Sequence, residues 1–177
     1  MKRITTLFIA VLLLTGLVLS QEAKKPPLSP PGTAEFSFDD GKKVTIQYSR
    51  PSMRGRKIMG GLVPYGEVWR TGANAATSLV TTADLDIGGT NVPAGSYTVY
   101  TLPSAEGWKL IINKQTGQWG TDYDQSKDLA RIDMAKTELK QPLEQFTIHF
   151  EPAKGSATKM LLDWETTSAS VDIKQAK

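Results

Sequence analysis

The sequence predicts an all-β domain: an antiparallel β-sandwich, jelly-roll-like or a partly closed barrel, with one long irregular crossing loop. Two observations support this prediction. Short runs of alternating apolar and polar residues recur along most of the chain, and this period of two is that of a half-buried strand. Clusters of Gly, Asp, Asn and Ser separate the runs, while helical periodicity is scarce. Short strands joined by such turns are typical of sandwiches and small barrels.

The N-terminal residues predict export. Lys2 and Arg3 precede an apolar run at 4–19, and Ser20 is small enough to stand before a cleavage site. This is the organisation of a secretory signal peptide, so we expect residues 1–20 to be removed and the protein to be periplasmic or secreted. The alternative is an uncleaved membrane anchor, but the run is short for a span of about 20 residues. No membrane span is expected after cleavage.

A flexible, proline-rich linker is predicted next, at 21–32 (QEAKKPPLSPPG). Residues 33–177 then form one domain, because no internal repeat and no second linker follows. The chain has no cysteine and one histidine. These counts exclude thiol nucleophiles, zinc sites built from Cys or several His, and haem held by paired His. No cofactor is expected.

The charge of the mature chain argues against nucleic acid as a partner. Removing Lys2 and Arg3 from the 21 basic residues leaves 19 against 18 acidic residues, a net charge of about +1. A nucleic-acid-binding protein needs a basic field or stripe, which this balance does not favour.

The predicted strands follow one another between turn signals. In KKVTIQYS, Val44, Ile46 and Tyr48 alternate with polar residues. The further strand-like runs are TSLVTTADLDIGG, GSYTVYTLP, GWKLIINK, FTIHF, KMLLDW and SVDIK. The turns are DDG at 39–41, GGTN at 88–91, SAEG at 104–107 and KGS at 154–156. A short helical piece near DQSKDLA is the one helix candidate.

The segment from Tyr48 to Asn74 is neither alternating nor helical, and it supplies most of the candidate ligand-binding residues. These are Arg50, Arg54, Arg56, Trp69, Arg70 and Asn74. A guanidinium is a planar fork suited to carboxylate or phosphate, so the arginines could form an anion or sugar-acid site. Alternatively, they pair with the domain's own carboxylates and backbone carbonyls and fix the loop to the sandwich. The tryptophan could stack on a sugar ring or fill the core.

A second candidate surface lies in QWGTDYDQSKD, residues 118–128. Trp119 and Tyr123 stand among acidic residues, as they would on a carbohydrate-binding surface. Asp122, Asp124 and Asp128 have the spacing of calcium-loop ligands, but Lys127 occupies the place of the required glycine. They are therefore weak metal candidates, a polar turn is favoured, and no metal is expected.

These motifs together resemble a known family. RPSMRGRKIMGGLVPYGEVWRTGAN, VPAGSYTVYTLP, WKLIINK followed by QWG, and YDQSKDLAR occur in the order found in an uncharacterised family of secreted bacterial proteins, a domain of unknown function. The resemblance covers about residues 30–175. It implies an exported β-sandwich of one domain, and it brings no activity, cofactor or catalytic residue with it.

Three hypotheses for function remain. The favoured one is a non-enzymatic binding module for a small polar ligand, a glycan or an envelope protein. The second is a carboxylate-based hydrolase of envelope or extracellular polysaccharide, for which Glu67, Asp122, Asp124 and Glu165 are candidate acids. The third is a structural or assembly protein. No G-x-S-x-G motif occurs, and His149, which is out of phase with its apolar neighbours, is expected to be a solvated strand residue.

Overall fold

The all-β prediction is confirmed by a computed structural model, which describes residues 27–153 and 155–176. The predicted signal peptide lies outside the described residues, and in them no helix is long and apolar enough to cross a membrane. Nine strands of the described chain form one antiparallel sheet that does not close, in the order β1-β2-β3-β6-β7-β8-β9-β4-β5. The strands are β1 Pro31–Ser37, β2 Lys43–Ser49, β3 Thr77–Thr81, β4 Leu85–Ile87, β5 Thr90–Val92, β6 Gly95–Pro103, β7 Trp108–Asn113, β8 Asp128–Phe150 and β9 Ala157–Gln175.

Alternation of side chains explains most of these strands. In β2, Val44, Ile46 and Tyr48 are buried while Lys43 and Gln47 are exposed. β1 begins at Pro31, inside the segment predicted to be linker. The predicted helical piece is a single 3-10 turn, Gln125–Lys127.

The two strands nearest the C-terminus differ most from the sequence prediction. Short strands were expected at 146–150, 159–164 and 170–174, whereas β8 has 23 residues and β9 has 19. The expectation was wrong because exposed, charged residues fill the middle of β8, and its register with β9 shifts between Glu138 and Leu143 and again before Thr147. Such irregularities break the alternation that sequence analysis depends on.

The long strand β8 joins the two halves of the sheet. Its first part pairs with β7, and its second part pairs with β9, which continues to β4 and β5. Both halves contribute to one hydrophobic core: Ile46 and Leu79 from the first half, and Leu162, Trp164 and Ile173 from the second, are fully or almost fully buried. Burial of this apolar surface is the main force that holds the two halves together.

Where the sheet stays open, a tyrosine hydroxyl takes the place of a neighbouring strand. Tyr48 in β2 is 7% exposed. Its hydroxyl accepts from the backbone N–H of Ile148 in β8 at 2.8 Å and donates to the carbonyl of the same residue at 3.2 Å. One side chain therefore satisfies two backbone groups of β8 that no strand pairs with.

The start of the crossing loop covers the next part of the same edge. Arg50 Nε donates to the carbonyl of Phe146 at 3.4 Å, and its Nη2 donates to Thr147 Oγ1 at 3.0 Å. The backbone of Phe146 donates to Pro51, and that of Met53 donates to the carbonyl of residue 144. We call this line of contacts, from Tyr48 to Met53 along β8, the seam. It protects an edge that would otherwise expose unpaired backbone groups.

Tyr48→Phe tests the seam. We expect this change to lower the free energy of unfolding by about 1–3 kcal/mol, because it leaves the buried N–H and carbonyl of Ile148 without a partner. Urea unfolding measures the effect, with Tyr65→Phe, at an exposed tyrosine, as the matched control that changes stability by less than about 0.5 kcal/mol. Equal stability of the two variants would contradict this role.

Candidate functional site

Three arginines of the crossing loop are engaged with the protein's own backbone or hydroxyl groups. Arg54 Nη2 donates to the carbonyl of Leu28 at 2.9 Å. Arg56 donates to the carbonyls three and four residues before it, at 3.0 and 2.8 Å. With Arg50 in the seam, these side chains hold the loop. Among the described residues, no acid forms an ion pair with any of the three or with Arg70.

Trp69 is packed between the loop and the core. Its ring stacks on Trp164 at a centroid distance of 5.8 Å and an interplanar angle of 19°. It also meets the rings of Phe146 and Trp108 edge-on, at 5.0 and 6.2 Å. We call these four rings the aromatic cluster. Because Trp69 is only partly buried and the other three are buried, the cluster serves packing first.

The two candidate segments of the sequence meet on one surface. Ala75 and Trp119 form an isolated antiparallel bridge, and the N–H of Gly120 donates to the carbonyl of Asn74 at 3.1 Å. Arg70 crosses directly over Gly120, since a Cβ there would lie 2.5 Å from Arg70 Cδ. The fold therefore brings Arg70, Asn74 and Trp119 together; Arg50, Arg54, Arg56 and Trp69 lie in the seam, the loop and the aromatic cluster. We call the first three residues the Trp119 surface.

The side chains of the Trp119 surface are little used by the fold. Trp119 is 54% exposed. The Nε of Arg70 is buried and has no hydrogen-bond partner. The exposed amide of Asn74 makes one long contact, 3.5 Å to Ser49 Oγ, and its backbone has a left-handed φ of 61°. An exposed indole beside a guanidinium and an amide is an arrangement suited to a polar ligand with one apolar face.

Tyr123 supports this surface from a hydrogen-bonded network. Its hydroxyl donates to Asp128 Oδ2 at 2.6 Å and accepts from Arg131 Nη2 at 2.7 Å. Asn113 donates to the other oxygen of Asp128 at 2.8 Å. The ring of Tyr123 packs edge-on against Tyr100 at 4.8 Å. Burial first, and then the hydrogen bond to the carboxylate of Asp128, raises the pKa of Tyr123 to about 12.

The three acidic residues with calcium-loop spacing have separate roles. Asp124 accepts from the backbone N–H and the hydroxyl of Ser126, which starts the 3-10 turn. These bonds lower the pKa of Asp124. Asp128 belongs to the Tyr123 network, and Asp122 is exposed. In the part of the chain that the structure describes, no group of three His, Cys, Asp or Glu could hold a metal ion.

The two other candidate acids, Glu67 and Glu165, and the histidine do not join Asp122 or Asp124 in one site. Glu165 accepts from the backbone N–H groups of Ile58 and Met59 at 3.1 and 3.3 Å and lines a cavity of about 580 Å³. That cavity is not lined by Glu67, Asp122 or Asp124. His149 is not simply solvated: its Nε2 lies 2.9 Å from Asp163 Oδ2 on the neighbouring strand.

Sequence reasoning missed Gly120 and Gln118, which position the Trp119 surface. Gln118 donates to Thr98 Oγ1 at 3.2 Å and to Tyr100 Oη at 3.0 Å, which fixes the residue before Trp119 to β6. Gly120 could have been recognised from the sequence, because it follows Trp119 and lies outside every predicted turn. A glycine in such a place indicates that another part of the chain comes close to it. Its φ is not in the left-handed region, so close approach of Arg70 is the reason for glycine.

Gly120→Ala tests that close approach. The new Cβ would lie 2.5 Å from Arg70 Cδ and 2.7 Å from the carbonyl of Asn74, so we expect a loss of about 1–3 kcal/mol in stability and a displaced Arg70. Urea unfolding measures the loss of stability. The NMR signals of the backbone amides in the Trp119 surface report the displacement of Arg70. Gly107→Ala is the control, because its Cβ would meet only the carbonyl of Met134, at 3.9 Å. Equal stability of Gly120→Ala and this control would show that Arg70 does not require a glycine at position 120.

The raised pKa of Tyr123 predicts a pH dependence of stability. The folded state holds the phenolic proton more tightly than the unfolded chain, whose tyrosine titrates near pH 10. This contribution is therefore complete below about pH 10 and is lost as pH rises toward the folded value of about 12. In urea unfolding at pH 9 to 12, the free energy of unfolding of Tyr123→Phe should fall less steeply with pH than that of the unmodified protein. The control Tyr65→Phe should follow the unmodified protein. Identical slopes for the two variants would contradict the shift.

Among the comparisons with known proteins, the one with family models gives a match. No curated protein and no solved structure matches the chain. The family model described as "Protein of unknown function (DUF2911)" matches residues 29–173, which include every strand except the last two residues of β9. The resemblance to a domain of unknown function is thus confirmed, and the chain belongs to this DUF2911 family.

Proposed function

We propose that this protein is an exported, non-catalytic binding module, and that its ligand is a glycan held on the Trp119 surface. The observation that carries the proposal is the exposure of Trp119. The other three tryptophans lie in the aromatic cluster, whereas the indole of Trp119 is 54% exposed on a turn that backbone and side-chain hydrogen bonds fix in place.

A glycan suits this surface better than a wholly apolar ligand. The aliphatic face of a pyranose ring packs on an indole, while its hydroxyl groups need donors and acceptors at the rim. Asn74 offers an amide with both, and Arg70 offers the terminal donors of its guanidinium, which is paired with no acid among the described residues. Because the backbone of Gly120 holds Arg70 and Asn74 next to Trp119, the three groups are pre-organised, which lowers the cost of binding.

Three arginines of the crossing loop are parts of the fold rather than of the proposed binding surface. Arg50, Arg54 and Arg56 already donate to backbone or hydroxyl oxygens, so a ligand would have to compete with those bonds. Arg70 differs from them, because no hydrogen bond or ion pair ties its guanidinium to another of the described residues. Of the four arginines in the loop, Arg70 alone is therefore proposed to provide the anion-binding group that the sequence predicts.

A glycan array, followed by an NMR titration with the best-bound oligosaccharide, tests the proposal. We expect Trp119→Ala to weaken binding about tenfold or more, since one aromatic contact of this kind is worth about 0.5–1.5 kcal/mol beyond the area it buries. Val80→Ala, which truncates another exposed apolar side chain, is the matched control and should bind like the unmodified protein. Absence of any bound glycan, or binding that survives Trp119→Ala, would overturn the proposal.

A further inference from the structure

A second, two-part cleft lies under the crossing loop, away from the Trp119 surface. One part is a cavity of about 430 Å³ and the other a cavity of about 580 Å³. Glu106, in the β6–β7 turn, lines both of them. Met134 lines the first and Lys136 the second, and these residues are two apart in β8, so their side chains share one face of the strand. We call the two cavities together the loop cleft.

The smaller part of the loop cleft is apolar. Leu102, Pro103, Trp108 and Met134 line it. Trp108 is 3% exposed, and its Nε1 has no hydrogen-bond partner. The fold therefore supplies a hydrophobic wall beside the aromatic cluster, of a size that suits a short aliphatic or aromatic group.

The larger part of the loop cleft is polar. Some of its charged side chains are hydrogen-bonded within the fold, and others are not. Lys136 Nζ donates to the carbonyl of Ala105. Both carboxylate oxygens of Glu165 accept from the backbone of the crossing loop. Glu138 and Lys57 form no ion pair within the described residues.

Glu106, which lines both parts, has one long contact, with Ser104 Oγ at 3.5 Å. At the rim of the apolar part, Lys109 and Asp133 are paired with each other. Three carboxylates, those of Glu106, Glu138 and Glu165, thus line the larger part of the cleft. They face two ammonium groups, those of Lys57 and Lys136, which leaves an excess of one negative charge. That balance favours a cationic group over an anionic one.

Glu165 holds the crossing loop in place over the cleft through its carboxylate. Its φ of 53° is in the left-handed region, which a residue with a long side chain seldom adopts. The strain occurs where the β8–β9 register shifts, and it accompanies the two hydrogen bonds that tie Ile58 and Met59 to β9. Strained residues persist where the surrounding structure requires them, as at binding sites.

We propose that the loop cleft binds a small amphipathic amine. Its apolar group lies against Trp108 and Met134, and its ammonium group lies between Glu106 and Glu138. This site is separate from the proposed glycan site, because the two share no residue.

An NMR titration of the full domain with n-octylamine hydrochloride and, in parallel, sodium n-octanoate tests this inference. The readouts are the indole N–H of Trp108 and the methyl group of Met134. We expect saturable shifts of both signals with octylamine and at least tenfold weaker binding of octanoate, because an anion would meet two carboxylates. No saturable shift with octylamine, or equal binding of the two probes, would overturn the proposal.

Two variants separate the parts of the cleft. Glu138→Gln should weaken octylamine binding about tenfold and narrow its preference over octanoate, while Glu67→Gln, at an exposed acid outside both cavities, changes neither. Gly107→Leu places a side chain into the apolar part and should abolish binding of both probes. If octylamine binds all three variants equally, its site lies elsewhere and the proposal fails.

Discussion

The seam along β8 is the contact on which the rest of the structure depends. An open sheet leaves backbone N–H and carbonyl groups unpaired at its edges, and leaving such groups buried without partners is costly. Here the edge of β8 is satisfied by the hydroxyl of Tyr48, the guanidinium of Arg50 and the backbone of Pro51 and Met53. Because these four residues lie at the end of β2 and the start of the crossing loop, the same contacts that complete the sheet also determine where the loop runs.

The loop is held at its other points by groups from distant parts of the chain. Glu165 binds the backbone of Ile58 and Met59, and the backbone of Trp69 pairs with that of Thr101 in β6. A segment without regular secondary structure is thereby fixed along its length. Its two flanks can then form surfaces of definite shape: the loop cleft near residues 57–66, and the Trp119 surface near residues 70–74.

Sequence analysis could predict what depends on local pattern. Alternation identified the strands around Ile46 and Leu110, and the composition of the loop identified its arginines as candidate ligand-binding residues. It could not predict what the arginines contact, because Arg50 meets Phe146 across 96 positions and its partner is a backbone carbonyl, which every residue carries. It also missed the length of β8, since bulges and exposed charges remove the alternation there.

In this protein, the surfaces proposed to bind ligands contain side chains that make no hydrogen bonds within the fold, whereas the other candidate residues are already hydrogen-bonded. Three loop arginines looked alike in the sequence, yet each is used by a backbone or hydroxyl oxygen. Glu165 was one of four candidate acids for a hydrolase, yet its two oxygens hold the loop. A ligand that displaced these groups would have to offset bonds that already exist. The side chains of Trp119 and Glu138 make no such bonds within the described residues. A ligand that binds there therefore adds contacts without removing any, and each proposed site is built around one of these two side chains.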